Sequence, residues 1–595
     1  MQAKANTAII ILISKNFDKL TVFYWKGGIS MNKQRTGYPS IDQTHLEGIP
    51  KSKLHPKTIS ITMLALFRIV NAGHMNEIAI SGSFDNKVHT KRQLYEDSLR
   101  FAAKLLSITK DVEVSDPKIA IVAPNCYEGI VAMIGANAVG IGVALIEPSA
   151  LYYENRGMLI AELNVHQPLA LIAYGEDVNW VNEVKNDNRL EFLLSTVWMI
   201  EPYNLVIEHE IGFWTNILSD EPVDSSTRRK ILSYAFRAKD RPMLYLKTSG
   251  STSGVPKTLP FSNRAIYAAL IYASNSTGMK TRDPRVGRVL CNAPYQHGYG
   301  WMTMFMHLLG GMQIVLVGGG KDDIARYHCM KPSVIYGTPL TLKQFIESTP
   351  DGYDLSSLTA FYCAGDAISE EEYDAGIKFL REHNSTAEIR NNYGISEALC
   401  VGTATDGITH VPGTIGKFYL GPDLLIVDEN LKEVKYNEQG ELLIAADTLC
   451  KGYFGDKKAT KASFFKRSGK VWFKTGDIMS LREDGYVKFY DRKRRFFFAK
   501  GVTDKVNCET IEQAIDSLST VDQSAVIVKK YDGTDGAKAF VVLRGGESGT
   551  DQAEIIRQDL KAKLLDFQMP QEIIIVDEIP IMPSGKINYQ ALEQM

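Results

Sequence analysis

The sequence predicts an α/β fold: a large N-terminal domain of stacked α/β layers with a small β-rich part, followed by a small α+β C-terminal domain. Short apolar runs alternate with helical segments from Ile119 to Cys363, the pattern of mostly parallel sheets covered by helices. From Gly413 the texture changes to closely spaced strand-like runs. The five charged residues Asp491-Arg492-Lys493-Arg494-Arg495 then set off a last pattern of about 100 residues, a typical small-domain size.

Ordered structure is expected from near Ile59. Leu94, Phe101, Ala102 and Leu105 fall on one helical stripe. Ile119-Ala120-Ile121-Val122-Ala123 reads as a strand, followed by a helix to about Val139 and a second strand at 142–146. Further buried strands are expected at 169–173, 243–246, 289–292, 313–317, 334–336 and 360–363. Ligands should collect at the loops beyond such strand ends. The β-rich part comprises 424–427, 441–444, 472–477 and 485–489. The charged run reads as a hinge between two globular patterns, because a solvated run of charge commonly links them. Beyond it, 524–528, 539–543 and 573–576 are expected strands, and 509–518 and 555–565 helices. The domains expected are a poorly defined extension at 1–55, a large domain at 56–491 and a small one at 492–595.

At 595 residues the chain is too long for one core. Hydrophobic residues make up 45% and charged ones 23%, as in an ordinary globular protein. The formal net charge of −2 argues against nucleic acid as main partner. The seven cysteines are scattered without a C-x-x-C pair, so neither a zinc ribbon nor a disulfide framework is expected. They read as small buried hydrophobes in a reducing, cytoplasmic setting. The longest candidate span, Ala8 to Ser14, is far short of the roughly 20 residues a transmembrane helix needs.

The densest chemistry lies in Thr248-Ser249-Gly250-Ser251-Thr252-Ser253-Gly254-Val255-Pro256-Lys257, directly after a buried strand. Glycines let backbone N–H groups converge on an anion, hydroxyls add donors and Lys257 adds a cation. This is chemistry for a polyphosphate, although it is not the Walker pattern. Asn391-Asn392-Tyr393-Gly394-Ile395-Ser396-Glu397 offers a ring, a hydroxyl and a carboxylate able to hold Mg²⁺ near phosphates; alone it reads equally as a loop with a helix cap. Tyr362-Cys363-Ala364-Gly365-Asp366-Ala367 ends a strand in a small-residue turn that a flat base can approach. Thr475-Gly476-Asp477 exposes a carboxylate for a ribose diol, or is simply a β-turn. Pro583-Ser584-Gly585-Lys586 puts a lysine on a turn near the C-terminus.

In this order the stretches resemble the signature of the adenylate-forming superfamily, which contains acyl- and aryl-CoA synthetases and peptide-synthetase adenylation domains. The phosphate loop T-S-G-S-T-x-G-x-P-K, Tyr393 to Glu397, Gly440-Glu441-Leu442 with Gly452-Tyr453, Thr475-Gly476-Asp477, Asp484-Gly485-Tyr486 and the terminal Pro-Ser-Gly-Lys all match. The resemblance implies a mobile C-terminal domain that rotates between two half-reactions. A carboxylate first attacks the α-phosphorus of ATP, releasing pyrophosphate; a thiol then attacks the acyl-adenylate. It implies that Thr248, Ser249, Gly250, Ser251, Thr252 and Lys257 wrap the phosphates. Glu397 and Thr252 would hold Mg²⁺. Gly365, Asp366, Ala367, Asn392 and Tyr393 would surround adenine, with Gly394 and Ser396 completing the nucleotide site. Asp477 and Arg492 would take the ribose hydroxyls, and Lys586 would bridge substrate carboxylate and α-phosphate.

Three positions depart from the family pattern. The phosphate loop has one extra residue, Asp491 replaces the usual glycine before Arg492, and Phe496-Phe497-Phe498-Ala499-Lys500-Gly501 replaces the commoner Ile-Lys-x-x-Gly run. Arg494 stands at the hinge position, with Lys493 beside it. Pro294-Tyr295-Gln296-His297-Gly298-Tyr299-Gly300 resembles the P-x-x-H-x-x-G segment of CoA synthetases, which implies that His297 lies by the bound carboxylate. No Asp from Pro294 to Phe305 could pair an α-ammonium, which disfavours an amino acid. The expected partners are a small carboxylic acid and coenzyme A, with the phosphopantetheine of a carrier protein as second acceptor. With nine residues after Lys586, the enzyme is expected to be free-standing.

Overall fold

A computed structural model describes residues 75–595 except 83–86, 110–113, 153–155, 176–177, 195, 201–211, 214–221, 237–239, 249–256, 277–286, 310, 318–329, 366–367, 400, 405–410, 419–420, 493–494, 499–504, 532–533, 546–550, 562, 565 and 582–586. The expected extension at 1–55, the onset near Ile59, most of the phosphate loop and Lys586 lie outside the described residues.

Two seven-stranded sheets stack in the large domain. The first orders Gly212–Phe213, Val197–Ile200, Ala170–Tyr174, Lys118–Val122, Gly142–Ile146, Pro242–Lys247 and Thr258–Ser262. All its neighbours are parallel except the last pair, an antiparallel hairpin. The second orders Glu388–Asn392, Ala360–Ala364, Val334–Gly337, Arg288–Cys291, Gln313–Leu316, Ile78–Ser81 and Val88–Thr90, again parallel but for its final edge.

Side-chain alternation explains the layers. Ile119 and Ile121 face a central core that also contains residues of the helices Lys91–Ile108, Tyr127–Ala138, Asn263–Ser276 and Gly298–Leu309. Ala120 and Val122 face the opposite side, against the helices Arg156–His166 and Val178–Lys185. On the second sheet Tyr336 and Tyr362 face the central core, whereas Ile335 and Phe361 pack on Pro339–Ser348 and Glu370–Glu382. Both sheets are therefore buried on both faces, so their strands read as continuous apolar runs.

The β-rich part is a five-stranded antiparallel sheet of Asp423–Val427, Gly440–Ala445, Phe464–Arg467, Lys470–Leu481 and Val487–Arg492. Thr475-Gly476-Asp477 is not a turn, as one reading had it. It is a bulge inside a 12-residue strand, where the register against Gly440–Ala445 slips between Glu441 and Leu443. Of the charged run, Lys493 and Arg494, where the hinge was expected, lie outside the described residues. Asp491 and Arg492 pair with Ile478 and Asp477 in the sheet, and Arg495 lies in the small domain. There Arg495 meets Glu512 at 2.5 Å and stacks 4.5 Å from the Tyr589 ring centroid.

The small domain has the three-stranded sheet Val521–Tyr531, Thr534–Leu543 and Glu572–Ile575, packed on Cys508–Asp516 and Gln552–Leu560. The second helix stops at Leu560, short of the expected 565. Cys126, Cys291, Cys363, Cys450 and Cys508 are buried, as expected of small hydrophobes. Among the described residues, no helix is long and apolar enough to cross a membrane.

Candidate active site at the strand ends

The phosphate-loop segment closes the antiparallel hairpin of Pro242–Lys247 and Thr258–Ser262. Thr248 N–H donates to Lys257 O at 2.9 Å, and Lys257 N–H donates to the Thr248 hydroxyl at 2.9 Å. Thr248 thus pins the base of the loop. Ser249, Gly250, Ser251 and Thr252 lie outside the described residues. The Lys257 ammonium sits 4.6 Å from the centroid of the Tyr453 ring, and the Tyr453 hydroxyl donates to Glu397 Oε1 at 2.8 Å. Burial and the Glu397 charge raise the Tyr453 phenol above its ordinary range, so it remains a donor.

Glu397 lies in a short 3₁₀ turn, Ser396–Ala398, just past the Glu388–Asn392 strand. Among the described residues no three His, Cys, Asp or Glu cluster as a metal cage. One carboxylate with phosphate and water oxygens is nevertheless how Mg²⁺ is commonly bound beside a nucleotide, so Glu397 fits that ion as part of Mg·ATP.

Asp477, expected to be exposed, is fully buried. One of its oxygens accepts from the Tyr393 hydroxyl, and the other is 2.7 Å from Arg492 Nε. The bulge turns Asp477 inward, and the register that pairs it with Arg492 brings the cation to it. Burial and the adjacent Asp477 charge push the Tyr393 phenol well up, so it too stays a donor. Tyr393, Asp477 and Arg492, from three separate stretches of the sequence, thus form one node. Asn392 is buried beside it, and its Oδ1 has no hydrogen-bond partner among the described residues. Gly365 follows the Ala360–Ala364 strand at φ 98°, a left-handed geometry that favours glycine. Gly394 starts the two-residue strand leading to Ser396. Asp366 and Ala367 are outside the described residues.

His297 sits in the turn after the Arg288–Cys291 strand, and its carbonyl accepts from Trp301 N–H at 2.9 Å. The turn is tied to the first sheet. Asn125 Nδ2 donates to Ala293 O at 3.1 Å, Tyr295 N–H donates to Asn125 Oδ1 at 2.9 Å, and Gln296 reaches Ala123 O. A Cβ on Gly300 would lie 2.2 Å from Pro294 O, which explains the glycine three residues after His297. His297 Nε2 lies 3.0 Å from Glu147 Oε1, an ion-pair distance off the line of a well-directed hydrogen bond. Lys586 is outside the described residues. Its loop is closed by the bridge between Ile581 and Ile587, and by Asn588 N–H to Pro580 O at 2.7 Å.

Sequence reasoning missed Glu147 as the neighbour of His297, and Tyr453 as the link between Lys257 and Glu397. Glu147 follows the buried strand Gly142–Ile146, which was a signal of position but not of partner. Tyr453 was visible only as half of a Gly-Tyr match.

A family model described as AMP-binding enzyme matches residues 67–454, and one described as AMP-binding enzyme C-terminal domain matches 510–586. The chain is 26% identical over 367 residues to the acyl-CoA ligase AFT1-1 of Alternaria alternata, covering 59% of this chain and 62% of that protein. It is 25% identical over 366 residues to the D-alanine–D-alanyl carrier protein ligase of Lactiplantibacillus plantarum, covering 58% and 70%. The match thus spans less than two thirds of the Alternaria protein. The fold is similar to that of the anthranilate CoA ligase AuaEII in complex with anthranoyl-AMP. There the TM-score is 0.75 and the identity 19%, over 92% of this chain and 98% of that one.

Proposed function

The chain belongs to the AMP-binding enzyme family, and from that premise we propose that it is an AMP-forming acid–thiol ligase. A small carboxylic acid attacks the α-phosphorus of ATP; the bond to the β-phosphate oxygen breaks, leaving acyl-adenylate and pyrophosphate. A thiol then attacks the acyl carbonyl and AMP departs, with coenzyme A as the acceptor. The observation that carries the reading is that the short segment 393–397 joins the Tyr393–Asp477–Arg492 node to the Lys257–Tyr453–Glu397 line.

In-line displacement at phosphorus needs alignment and charge neutralisation more than a protein nucleophile. Lys257 and the phosphate-loop hydroxyls of Ser249, Ser251 and Thr252 neutralise and hold the phosphates, while Thr248 fixes the loop base. Glu397, with Thr252, would hold Mg²⁺, whose charge would screen the triphosphate. Gly365, Asp366, Ala367, Asn392 and Tyr393 surround adenine, with Gly394 and Ser396 shaping the adjoining turn. Ribose hydroxyls reach Asp477 by displacing Arg492 or Tyr393 from one of its oxygens. His297 lies by the acid, and Lys586 bridges its carboxylate and the α-phosphate.

A second reading keeps adenylation and replaces coenzyme A with a phosphopantetheinyl carrier protein. It is favoured by the similarity to D-alanyl carrier protein ligases and by the Phe496–Gly501 departure. The test is acid-dependent exchange of labelled pyrophosphate into ATP over fatty, aryl and amino acids, repeated with coenzyme A. Exchange plus acyl-CoA supports the first reading. Exchange without thioester moves the acceptor to a carrier, and no exchange with any acid by folded protein refutes both.

A further inference from the structure

We propose that Tyr453 is a positioning residue, which holds the Lys257 ammonium and the Glu397 carboxylate apart so that both stay available to the Mg²⁺-bound phosphates of ATP. This rests on the reading that Lys257 and Glu397 face the nucleotide. Tyr453 is 8% exposed. The face of its ring takes the Lys257 ammonium at 4.6 Å, and its hydroxyl takes Glu397 Oε1 at 2.8 Å.

The backbone around the ring is fixed to both partners' segments. Tyr453 N–H donates to Thr460 Oγ1 at 2.9 Å. Phe454 N–H donates to Thr258 O at 2.9 Å, one residue past Lys257. Cys450 N–H donates to the Glu397 carbonyl at 2.9 Å. The 450–454 segment therefore ties the phosphate-loop hairpin to the turn that carries Glu397.

A lysine and a glutamate that flank one side chain can close into a direct ion pair once it is removed, and so cancel each other's field. An aromatic face attracts an ammonium without neutralising it. A phenol O–H orients a carboxylate by one oxygen and leaves its charge intact. Among the described residues Glu397 Oε2 accepts no hydrogen bond. Cation and carboxylate are thus presented side by side, as a phosphate and its metal ion require.

The test is calorimetric titration of ATP into the full-length wild type, Tyr453→Phe and Tyr453→Leu, each with excess Mg²⁺ and with EDTA. Tyr453→Phe keeps the ring under Lys257 and releases Glu397. It is expected to weaken Mg·ATP binding about tenfold while metal-free ATP binds as to wild type. Tyr453→Leu is expected to weaken both, because Lys257 and Glu397 then pair. Equal Mg·ATP affinity in the wild type and the Phe variant overturns the proposal. So does an equal loss with and without metal in the Phe variant, which a merely structural role would give. Should the Leu variant fail to fold, the Phe variant decides alone. A wild type that binds ATP in neither condition refutes the nucleotide reading itself, an outcome distinct from a failure of Tyr453's role.

Discussion

Replacing Gly300 with Ala puts a methyl carbon 2.2 Å from Pro294 O and 2.5 Å from Ala293 O. To reach even 3.0 Å, the helix start and the turn must part by about 0.8 Å. Both obstacles are backbone, so no side-chain rotation relieves them. The turn cannot simply retreat either, because Asn125 and Gln296 buckle it to the first sheet. Overpacking of this kind costs about 1–3 kcal/mol. The displaced turn carries His297, and a shift near 1 Å at a positioned group costs about 10²-fold in rate. Acid-dependent pyrophosphate exchange is therefore expected to fall about a hundredfold, and thermal unfolding to occur about 1–2 °C lower. ATP affinity should hold within about twofold, because the nucleotide residues belong to other loops. A Gly300→Ala enzyme with wild-type exchange and unchanged unfolding would refute the account of this turn.

Lys586→Ala is expected to lower exchange by about 10²–10³ while thioester formation from supplied acyl-adenylate is far less affected; equal loss in both steps contradicts that division. His297→Ala should change which acids support exchange and leave ATP binding nearly intact, and a large fall in ATP affinity would mean that its place is wrong. Burial lowers His166 and His307 to about 3. The unfolded chain takes up protons below about pH 6.5 that the folded chain refuses until about pH 3, so this stability is complete above pH 6.5 and lost as the pH falls. Each histidine then costs about 2 kcal/mol by pH 5. His307→Phe removes one share, so urea titrations at pH 7 and pH 5 should differ by about 2 kcal/mol less than in wild type; an unchanged difference contradicts the buried neutral imidazole.

Many parallel strands were legible within a residue or two because both faces are buried, as at Lys118–Val122 and Gly142–Ile146, whereas Ile78–Ser81, Val197–Ile200 and Glu388–Asn392 went unnamed. Thr258–Ser262 was not, because Pro260 interrupts its pattern and marks an edge strand. That omission hid the fact that the phosphate loop caps a hairpin. Asp477 was legible as a functional carboxylate but not as a buried one. Its environment depends on a register slip and on Tyr393, 84 positions away in the chain. Glu147 beside His297, and Tyr453 between Lys257 and Glu397, arise from long-range packing that no local spacing encodes.

The central claim is that the acid attacks the α-phosphorus. Turnover of a carboxylate labelled with oxygen-18, with the products resolved by mass spectrometry, tests it most directly. The account predicts one labelled oxygen in AMP and none in pyrophosphate. Label in inorganic phosphate, or AMP formed without label, would contradict an acyl-adenylate.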